Sequence, residues 1–223
     1  NFPDANFCSF VVSSFDKDND NYLSDEEINE VETINCANEG ISDLTGISHF
    51  TALKLLNCYN NQLTSLDVSK NTALTKLECS INQLTSLDVS KNTALTDLGC
   101  YNNQLTSLDV SKNTALTHLE CYNNQLTSLD VSKNTALTYL DCGDNQLTSL
   151  DISNTNMKIF NCRDNIYQIV VDNDRTFDLS TLPGNFDVAR TSDWSGGKVS
   201  GNTLTVESGK DTVTYKYDCG QGN

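Results

Sequence analysis

The sequence predicts a solenoid that is mainly β, built from parallel strands with few helices, between a helical cap and a small β cap. One observation is a 13-residue sequence, Leu-Thr-Ser-Leu-Asp-Val-Ser-Lys-Asn-Thr-Ala-Leu-Thr, that recurs unchanged every 21 residues at 63–75, 84–96, 105–117 and 126–138. A second observation is a cysteine that recurs at the same interval. A fixed period of this length is typical of chains that make one coil per repeat and stack the coils into a rod.

The first helix is predicted over residues 2–15. Asp4 is a favourable N-cap. Four apolar residues follow it at the three-to-four spacing of one helical face: Phe7, Phe10, Val11 and Phe15. We expect this face to cover the open end of the solenoid, because terminal repeats need a capping structure.

An acidic loop follows this helix and resembles the calcium loop of an EF-hand. It places oxygen ligands at positions one, three, five, seven, nine and twelve: Asp16, Asp18, Asp20, the Tyr22 carbonyl, Ser24 through water, and Glu27. Ser24, with Glu27 three residues later, also predicts the cap of a second helix. Asn21 replaces the usual glycine, and asparagine tolerates a left-handed backbone. We expect one structural calcium ion that holds the cap folded; an acidic cap without calcium is the alternative.

Each repeat is written as two halves with the pattern Leu-x-x-Leu-x-apolar-x-x-Asn, the first over 84–92 and the second over 95–103. Apolar residues that alternate predict a short strand in each half, so that one repeat makes one turn of a right-handed coil. The asparagines of the second half are expected to bond backbone groups that have no strand partner. They are Asn61, Asn82, Asn103, Asn124, Asn145 and Asn165.

Seven of the nine cysteines occupy one inward-facing strand position: Cys36, Cys58, Cys79, Cys100, Cys121, Cys142 and Cys162. Side chains in register on stacked strands point the same way and do not easily reach the dihedral angle of a disulfide. We therefore predict buried, unpaired thiols that act as small apolar side chains. A ladder of soft metal ions is the alternative, and Cys8 and Cys219 remain without a predicted role.

After Cys162 the repeat pattern ends. Strands are predicted at 167–171, 186–189, 203–207 and 212–217, where β-forming residues are separated by Gly, Pro and Asn. These strands would form a small β unit at the far end of the solenoid. Trp194 is expected to pack against the last coil; a ligand-binding platform is the alternative.

The coil before the regular repeats spaces four apolar residues three apart: Ile41, Leu44, Ile47 and Phe50. Together with the 21-residue repeats and the helical start, it makes residues 1–165 similar to the internalins, which are bacterial leucine-rich repeat proteins. The resemblance implies a leucine-rich repeat solenoid over 34–165, after an EF-hand-like helical cap at 1–33 and before the β C-terminal cap at 166–223. It also implies a non-enzymatic protein, secreted or attached to the cell surface, that binds another macromolecule.

The two sides of the repeat differ in how much they vary. The Leu-Asp-Val-Ser-Lys-Asn side is unchanged in four copies, and we expect it to be a solvated structural face. The outward residues around Leu-x-Cys change from copy to copy, and several are tyrosines, which offer a large contact area at a low entropy cost. We predict that these form the ligand-binding surface: Tyr59, Lys76, Glu78, Asp97, Tyr101, His118, Glu120, Tyr122, Tyr139 and Asp141. Drift of exposed positions after duplication is the alternative.

The formal charge of −16 argues against nucleic acid and anionic membranes as partners. No apolar stretch approaches the roughly 18 residues that a membrane helix needs. The chain has two histidines and no motif of a nucleophile, a phosphate loop or a zinc site, so we predict that it is not an enzyme. A protein ligand at a host or bacterial cell surface is the first hypothesis for a monomeric protein; a glycan is the second and a structural spacer is the third.

Overall fold

Seven three-residue strands, one per coil, stack in chain order into a parallel sheet in the computed structural model, which describes residues 2–220. Each strand pairs in register with the same position of the next coil, as Leu77 does with Leu98. The middle residue of each of the first six strands is buried, and the sheet therefore confirms the predicted parallel solenoid. The strands are β1 Thr33–Asn35, β2 Leu55–Asn57, β3 Lys76–Glu78, β4 Asp97–Gly99, β5 His118–Glu120, β6 Tyr139–Asp141 and β7 Ile159–Asn161.

The Leu-Asp-Val half of the repeat is not a strand, so the prediction of two strands per coil was wrong. Its apolar side chains are buried as expected, but its backbone closes turns within the coil. The N–H of Asn71 donates to the carbonyl of Val68 at 3.0 Å, and the N–H of Leu74 donates to the carbonyl of Asn71 at 3.1 Å. The Asp67 carboxylate accepts from the N–H of Ser69 at 2.9 Å, which also favours a turn.

The predicted asparagine column is present and connects successive coils. The Asn124 Oδ1 accepts from the N–H of Leu105 at 2.9 Å, and its Nδ2 donates to the carbonyls of Cys100 and Cys121, both at 3.1 Å. The same three kinds of bond recur at the other five predicted asparagines. A second column, on the other side of the coil, is formed by Asn71, Asn92, Asn113 and Asn134, which are fully buried.

The cysteine column is unpaired, as predicted. Its first six members are fully buried, from Cys36 to Cys142, whereas Cys162 at the last coil is half-buried. Burial raises the pKa of the Cys100 thiol to about 12, because a thiolate would lose its hydration in the core. The six fully buried thiols therefore stay neutral and pack as small apolar groups.

The helical start of the chain covers the first coil. Helix α1 (Ala5–Phe15) is capped by Asp4, whose carboxylate accepts from the N–H of Phe7 at 2.9 Å and from the N–H of Ser42 at 2.8 Å. Helix α2 (Asp25–Asn29) begins with the predicted capping box of Ser24 and Glu27. The apolar face of α1 packs against the first coil, since the Phe15 and Phe50 rings lie 6.0 Å apart. Neither α-helix within residues 2–220 has the length and the apolar composition that a membrane-spanning helix requires.

The C-terminal region contains five strands: β8 Thr176–Asp178, β9 Thr191–Ser195, β10 Gly197–Ser200, β11 Thr203–Val206 and β12 Thr214–Tyr217. They form two small antiparallel sheets, ordered β10-β11-β8 and β12-β9. Two of the four predicted strands correspond to β11 and β12. The predictions at 167–171 and 186–189 were wrong: the first is an irregular segment in which Val170 is 91% exposed, and the second leads into a 3-10 turn capped by Asp187.

Tyr215, rather than Trp194, joins this region to the last coil, so the prediction for Trp194 was wrong. The Trp194 ring stacks on Tyr215 at 4.7 Å and belongs to the apolar cluster of the C-terminal region. The Tyr215 hydroxyl donates to the carbonyl of Thr148 at 2.7 Å. Arg190 lies 3.3 Å from Asp151, so the aspartate face that we expected to be solvated is partly covered at its last coil.

Candidate functional site

The predicted ligand-binding residues form three rows on the outer side of the parallel sheet. The first and third residues of each strand point away from the buried middle residue. In-register pairing therefore aligns the first residues, from Lys76 to Tyr139, and the third residues, from Glu78 to Asp141. The third row consists of Tyr59, Tyr101 and Tyr122, each of which lies two residues after the end of a strand. We refer to these ten residues, with the small residues between them, as the strand face.

Stacked aromatic rings make part of the strand face rigid. The Tyr101 and Tyr122 rings lie 4.4 Å apart and are nearly parallel, with 10° between their planes. The Tyr59 ring lies 6.4 Å from the Tyr101 ring although one coil lies between them, because that coil places the small, buried Ser80 in the row. In the first row, His118 and Tyr139 stack at 5.5 Å.

A hollow of about 250 Å³ lies between the row of first strand residues and the row of third strand residues, and Gly99 is part of its lining. A Cβ atom at Gly99 would lie 2.8 Å from the Cδ of Glu78, so the Glu78 carboxyl group occupies the space that any other residue would need. Gly99 pairs in register with Glu78 on one neighbouring strand and with Glu120 on the other. Burial raises the pKa of Glu120, and the negative charges of Glu78 and Asp141 add to this effect, whereas Tyr139 and His118 oppose it.

Gly99 and Ser80 were not among the predicted site residues. Both interrupt rows of larger residues, and the sequence shows this. What the sequence does not show is that the gap at Gly99 is filled by a carboxyl group from the neighbouring coil, or that the gap at Ser80 lets Tyr59 reach Tyr101. A small residue in a row of large ones is the signal that would have marked the hollow.

The acidic loop brings together three of the six predicted calcium ligands. Carboxylate oxygens of Asp16, Asp18 and Glu27 all lie within 4.8 Å of one another. The Asp16 carboxylate accepts from the N–H of Asn21 at 2.9 Å, and Asn21 has the left-handed backbone expected of it, with φ 62°. Glu27 is drawn toward the loop because its carboxylate accepts from the N–H of Lys17 at 2.6 Å.

Two of the other three predicted ligand groups, the Asp20 carboxylate and the Ser24 hydroxyl, make hydrogen bonds within the loop. The Asp20 carboxylate accepts from the N–H of Tyr22 at 2.7 Å and is not part of the three-carboxylate group. The Ser24 hydroxyl donates to the Glu27 carboxylate at 2.9 Å, and the Tyr22 side chain is 69% exposed. Oxygen atoms of this kind suit a hard cation such as Ca²⁺.

Known proteins share this repeat architecture. The family model described as leucine-rich repeats in two copies matches residues 114–154. Internalin J from two strains of Listeria monocytogenes, F2365 and EGD-e, is 45% identical over 70 residues, which is 31% of this chain. This chain spans only 8% of the length of each of these relatives.

Solved structures extend the likeness to most of the chain. The structure described as the functional domain of InlJ from Listeria monocytogenes, including a cysteine ladder, is 40% identical with a TM-score of 0.61. That match covers 76% of this chain and 43% of the InlJ chain. A leucine-rich repeat protein of Leptospira interrogans is 22% identical with a TM-score of 0.51, covering 61% of this chain and 39% of its own, and it supports the fold alone.

Proposed function

Because the chain is an internalin-like bacterial leucine-rich repeat protein, we propose that it binds a protein ligand at a cell surface through the strand face. The observation that carries this proposal is the contrast between the two sides of one coil. The side without strands repeats the same residues in four copies, while the strand face presents a different combination in each coil. A surface that recognises one partner needs such local differences, because identical coils would bind equally well in several registers.

The aromatic stacks favour a protein ligand over a glycan. A sugar ring binds on the open face of an aromatic side chain, but Tyr101 has Tyr122 stacked on its ring at 4.4 Å and Tyr59 close by at 6.4 Å. The Tyr101 ring therefore offers its edge and hydroxyl group more than its faces. Rings already held in place lose little conformational freedom on binding, which is the property that makes tyrosine frequent in protein-binding surfaces.

The charges of the strand face favour a partner with basic side chains. Four of the ten residues are acidic and only Lys76 is basic: the acidic ones are Glu78, Asp97, Glu120 and Asp141. The raised pKa of Glu120 reflects a partly buried carboxyl group that has acidic neighbours. A lysine or arginine of the partner would offset this repulsion when it enters the hollow above Gly99.

Replacing Tyr101 and Tyr122 together by alanine is expected to remove ligand binding without unfolding the protein. Tyrosines at the centre of an interface each contribute about 2 kcal/mol or more, which is roughly a 30-fold change in affinity. The measurement is capture of proteins labelled at the surface of intact cells, with the captured protein then titrated against each variant.

The matched control for this experiment is Lys91→Ala with Lys112→Ala, two exposed residues on the unchanged side of the same coils. The proposal predicts a protein held by the wild type and by this control but not by the tyrosine variant. Equal binding by all three proteins would place the ligand elsewhere. Binding of the wild type to glycans on an array, instead of to a protein, would favour the glycan alternative.

The double substitution Glu78→Gln and Glu120→Gln removes two negative charges from the lining of the hollow. It is expected to lower the rate constant for association with the captured protein by about tenfold at low salt, and by less at high salt. Glutamine keeps an oxygen that can accept from the N–H of Ser80, as Glu78 does at 3.1 Å. The association rate at two salt concentrations measures this effect. An unchanged rate would show that the partner is not basic at this position.

We also propose one structural calcium ion in the acidic loop, held by Asp16, Asp18 and Glu27 with the other predicted ligands completing the shell. The three converging carboxylates and the left-handed Asn21 support it. The ion would offset the repulsion among these charges and connect the end of α1 to the start of α2. The likeness to internalins further supports a non-enzymatic protein that is extracellular or attached to the cell surface, and we propose that it acts as a monomer.

A further inference from the structure

A cleft of about 580 Å³ lies where the C-terminal region meets the last two coils, on the unchanged side of the repeat. The coils contribute Asp130 and Asp151 to its lining, and the C-terminal region contributes Asp187, Arg190 and Tyr217. Small-molecule sites commonly occupy clefts of about 300–1,000 Å³ at the join between two structural units. None of the residues that line this cleft belongs to the strand face, so a site here is independent of ligand binding by the strand face.

Two hydrogen bonds hold the two walls of the cleft together. The hydroxyl of Thr148 donates to the carbonyl of Pro183 at 2.8 Å, and the hydroxyl of Ser149 donates to the carbonyl of Gly184 at 2.6 Å. Gly184 has a left-handed backbone with φ 75°, and a Cβ atom there would lie 3.0 Å from the Ser149 Oγ, so the close approach to the coil favours glycine. The walls are therefore fixed relative to each other by the chain's own contacts, which lowers the entropy cost of binding a ligand between them.

Two aspartates of the cleft, one from each wall, have an oxygen atom left for a ligand. One oxygen of Asp130 accepts from the N–H of Ser132 at 2.8 Å, and one oxygen of Asp187 accepts from the N–H of Ala189 at 2.9 Å. Within residues 2–220, the second oxygen of each of these carboxylates has no hydrogen-bond donor. Each carboxylate can therefore accept from a donor group of a ligand in the cleft.

Donor groups line the same cleft. The Arg190 guanidinium lies 3.3 Å from the Asp151 carboxylate and 5.3 Å from the centre of the Tyr217 ring. A guanidinium has five N–H groups, and the ion pair with Asp151 does not use all of them. The Tyr217 hydroxyl accepts from the N–H of Asp187 at 3.3 Å, which leaves its own hydrogen to donate. The cleft thus offers a ligand both donors and acceptors.

We propose that this cleft binds a neutral oligosaccharide. A hydroxyl group both donates and accepts hydrogen bonds, so a sugar can use the aspartates together with the Arg190 and Tyr217 donors. An ammonium group only donates and would leave these donors without acceptors. The buried Leu129 and Leu150 add apolar atoms to the lining, which suit the C–H groups of a sugar ring.

The charge of the cleft decides between neutral and anionic sugars. Arg190 pairs with Asp151, whereas Asp130 and Asp187 have no ion-pair partner within residues 2–220. Two negative charges of the cleft are therefore not offset, and they would repel a sialic acid, a uronic acid or a sulfate group. The formal charge of −16 on the whole chain adds to this repulsion. The cleft should thus select uncharged sugars.

The test is an array that carries neutral, sialylated and sulfated oligosaccharides, probed with the labelled full chain. We expect binding among the neutral oligosaccharides only. The neutral oligosaccharide that binds most strongly is then titrated by calorimetry against the double substitution Asp130→Asn and Asp187→Asn. Asparagine keeps an oxygen that can accept from the N–H of the turn but removes the charge. The dissociation constant should therefore rise about tenfold or more, while the circular dichroism spectrum stays the same.

The matched control is Asp88→Asn with Asp109→Asn. These aspartates occupy the same repeat position as Asp130 and accept from the N–H two residues later at the same 2.8 Å, but they do not line the cleft. This control should bind the oligosaccharide as the wild type does, and so should the strand-face variant Tyr101→Ala with Tyr122→Ala. The proposal is overturned by an array on which no neutral oligosaccharide binds or charged ones bind best, by an unchanged dissociation constant in the cleft variant, or by an equal loss in either of the other two variants.

Discussion

Replacing Asn124 by alanine is expected to lower the free energy of unfolding by about 3–5 kcal/mol. The substitution removes four hydrogen bonds to backbone groups, those of the Leu105 N–H and of the Cys100, Cys121 and Tyr122 carbonyls. Each buried group left without a partner costs about 1–3 kcal/mol, partly relieved by relaxation of the turn. Denaturant unfolding monitored by circular dichroism measures the loss.

Two variants of nearby residues act as controls. Gln125 is exposed, and its backbone bond to Leu105 at 2.9 Å does not need the side chain, so Gln125→Ala should change stability by about 0.5 kcal/mol or less. Asn113→Ala should destabilise less than Asn124→Ala, because the Asn113 Oδ1 accepts no hydrogen bond and only two carbonyls lose their donor. Equal effects at residues 124 and 125 would show that the asparagine column does not hold the coils together.

The sequence correctly predicted which residues of the solenoid are buried, but it predicted the strands only in part. Leu77 and Cys79 alternate around an outward residue in the same way as Leu66 and Val68, and the same rule predicts a strand for both pairs. Only the first segment pairs with its neighbours. In the second, the backbone N–H groups are used by turns such as that from Asn71 to Val68. Alternation reports which side chains are buried, and it does not report where the backbone donates its hydrogen bonds.

The C-terminal region was less predictable because it has no repeat. In the solenoid, four identical copies confirm one another, whereas each segment after Cys162 occurs once. Residues 167–171 have the composition of a strand and yet lie irregularly on the surface. The contacts that fix this region join distant residues, such as Tyr215 to Thr148 and Arg190 to Asp151, and a local pattern carries no information about them.

The strand face shows the same division between local and non-local information. Period-two alternation placed all ten predicted residues on one side of the sheet. The hollow depends on the absence of a side chain at Gly99 and on the position of Glu78 one coil away. Because the coils are in register, rows of residues can be read from the sequence, but side-chain orientation across the rows requires the structure.

Calcium is expected to raise the melting temperature by about 5–10 °C at a concentration 100-fold above its dissociation constant. Such an excess stabilises the folded state by about 2.7 kcal/mol, and about 2–4 °C per kcal/mol is usual for a chain of this size. The N–H of Asp20 stabilises the charge of Asp18, but desolvation and the charges of Asp20, Glu27 and Asp16 together raise the pKa of Asp18. Without an ion, this carboxylate opposes folding at neutral pH, and a bound cation reverses that effect.

The Glu27→Gln variant distinguishes the effect of metal binding from the effect of helix capping. Glutamine at this position keeps the capping box with Ser24, so α2 should still form, but it removes one of the three converging charges. We expect this variant to melt at the same temperature with calcium or with a chelator. Glu26→Gln, an exposed residue outside the group, should keep the full response of the wild type. A wild-type protein that melts identically in calcium and in chelator would exclude a structural ion, and a Glu27→Gln protein that keeps the response would place the ion elsewhere.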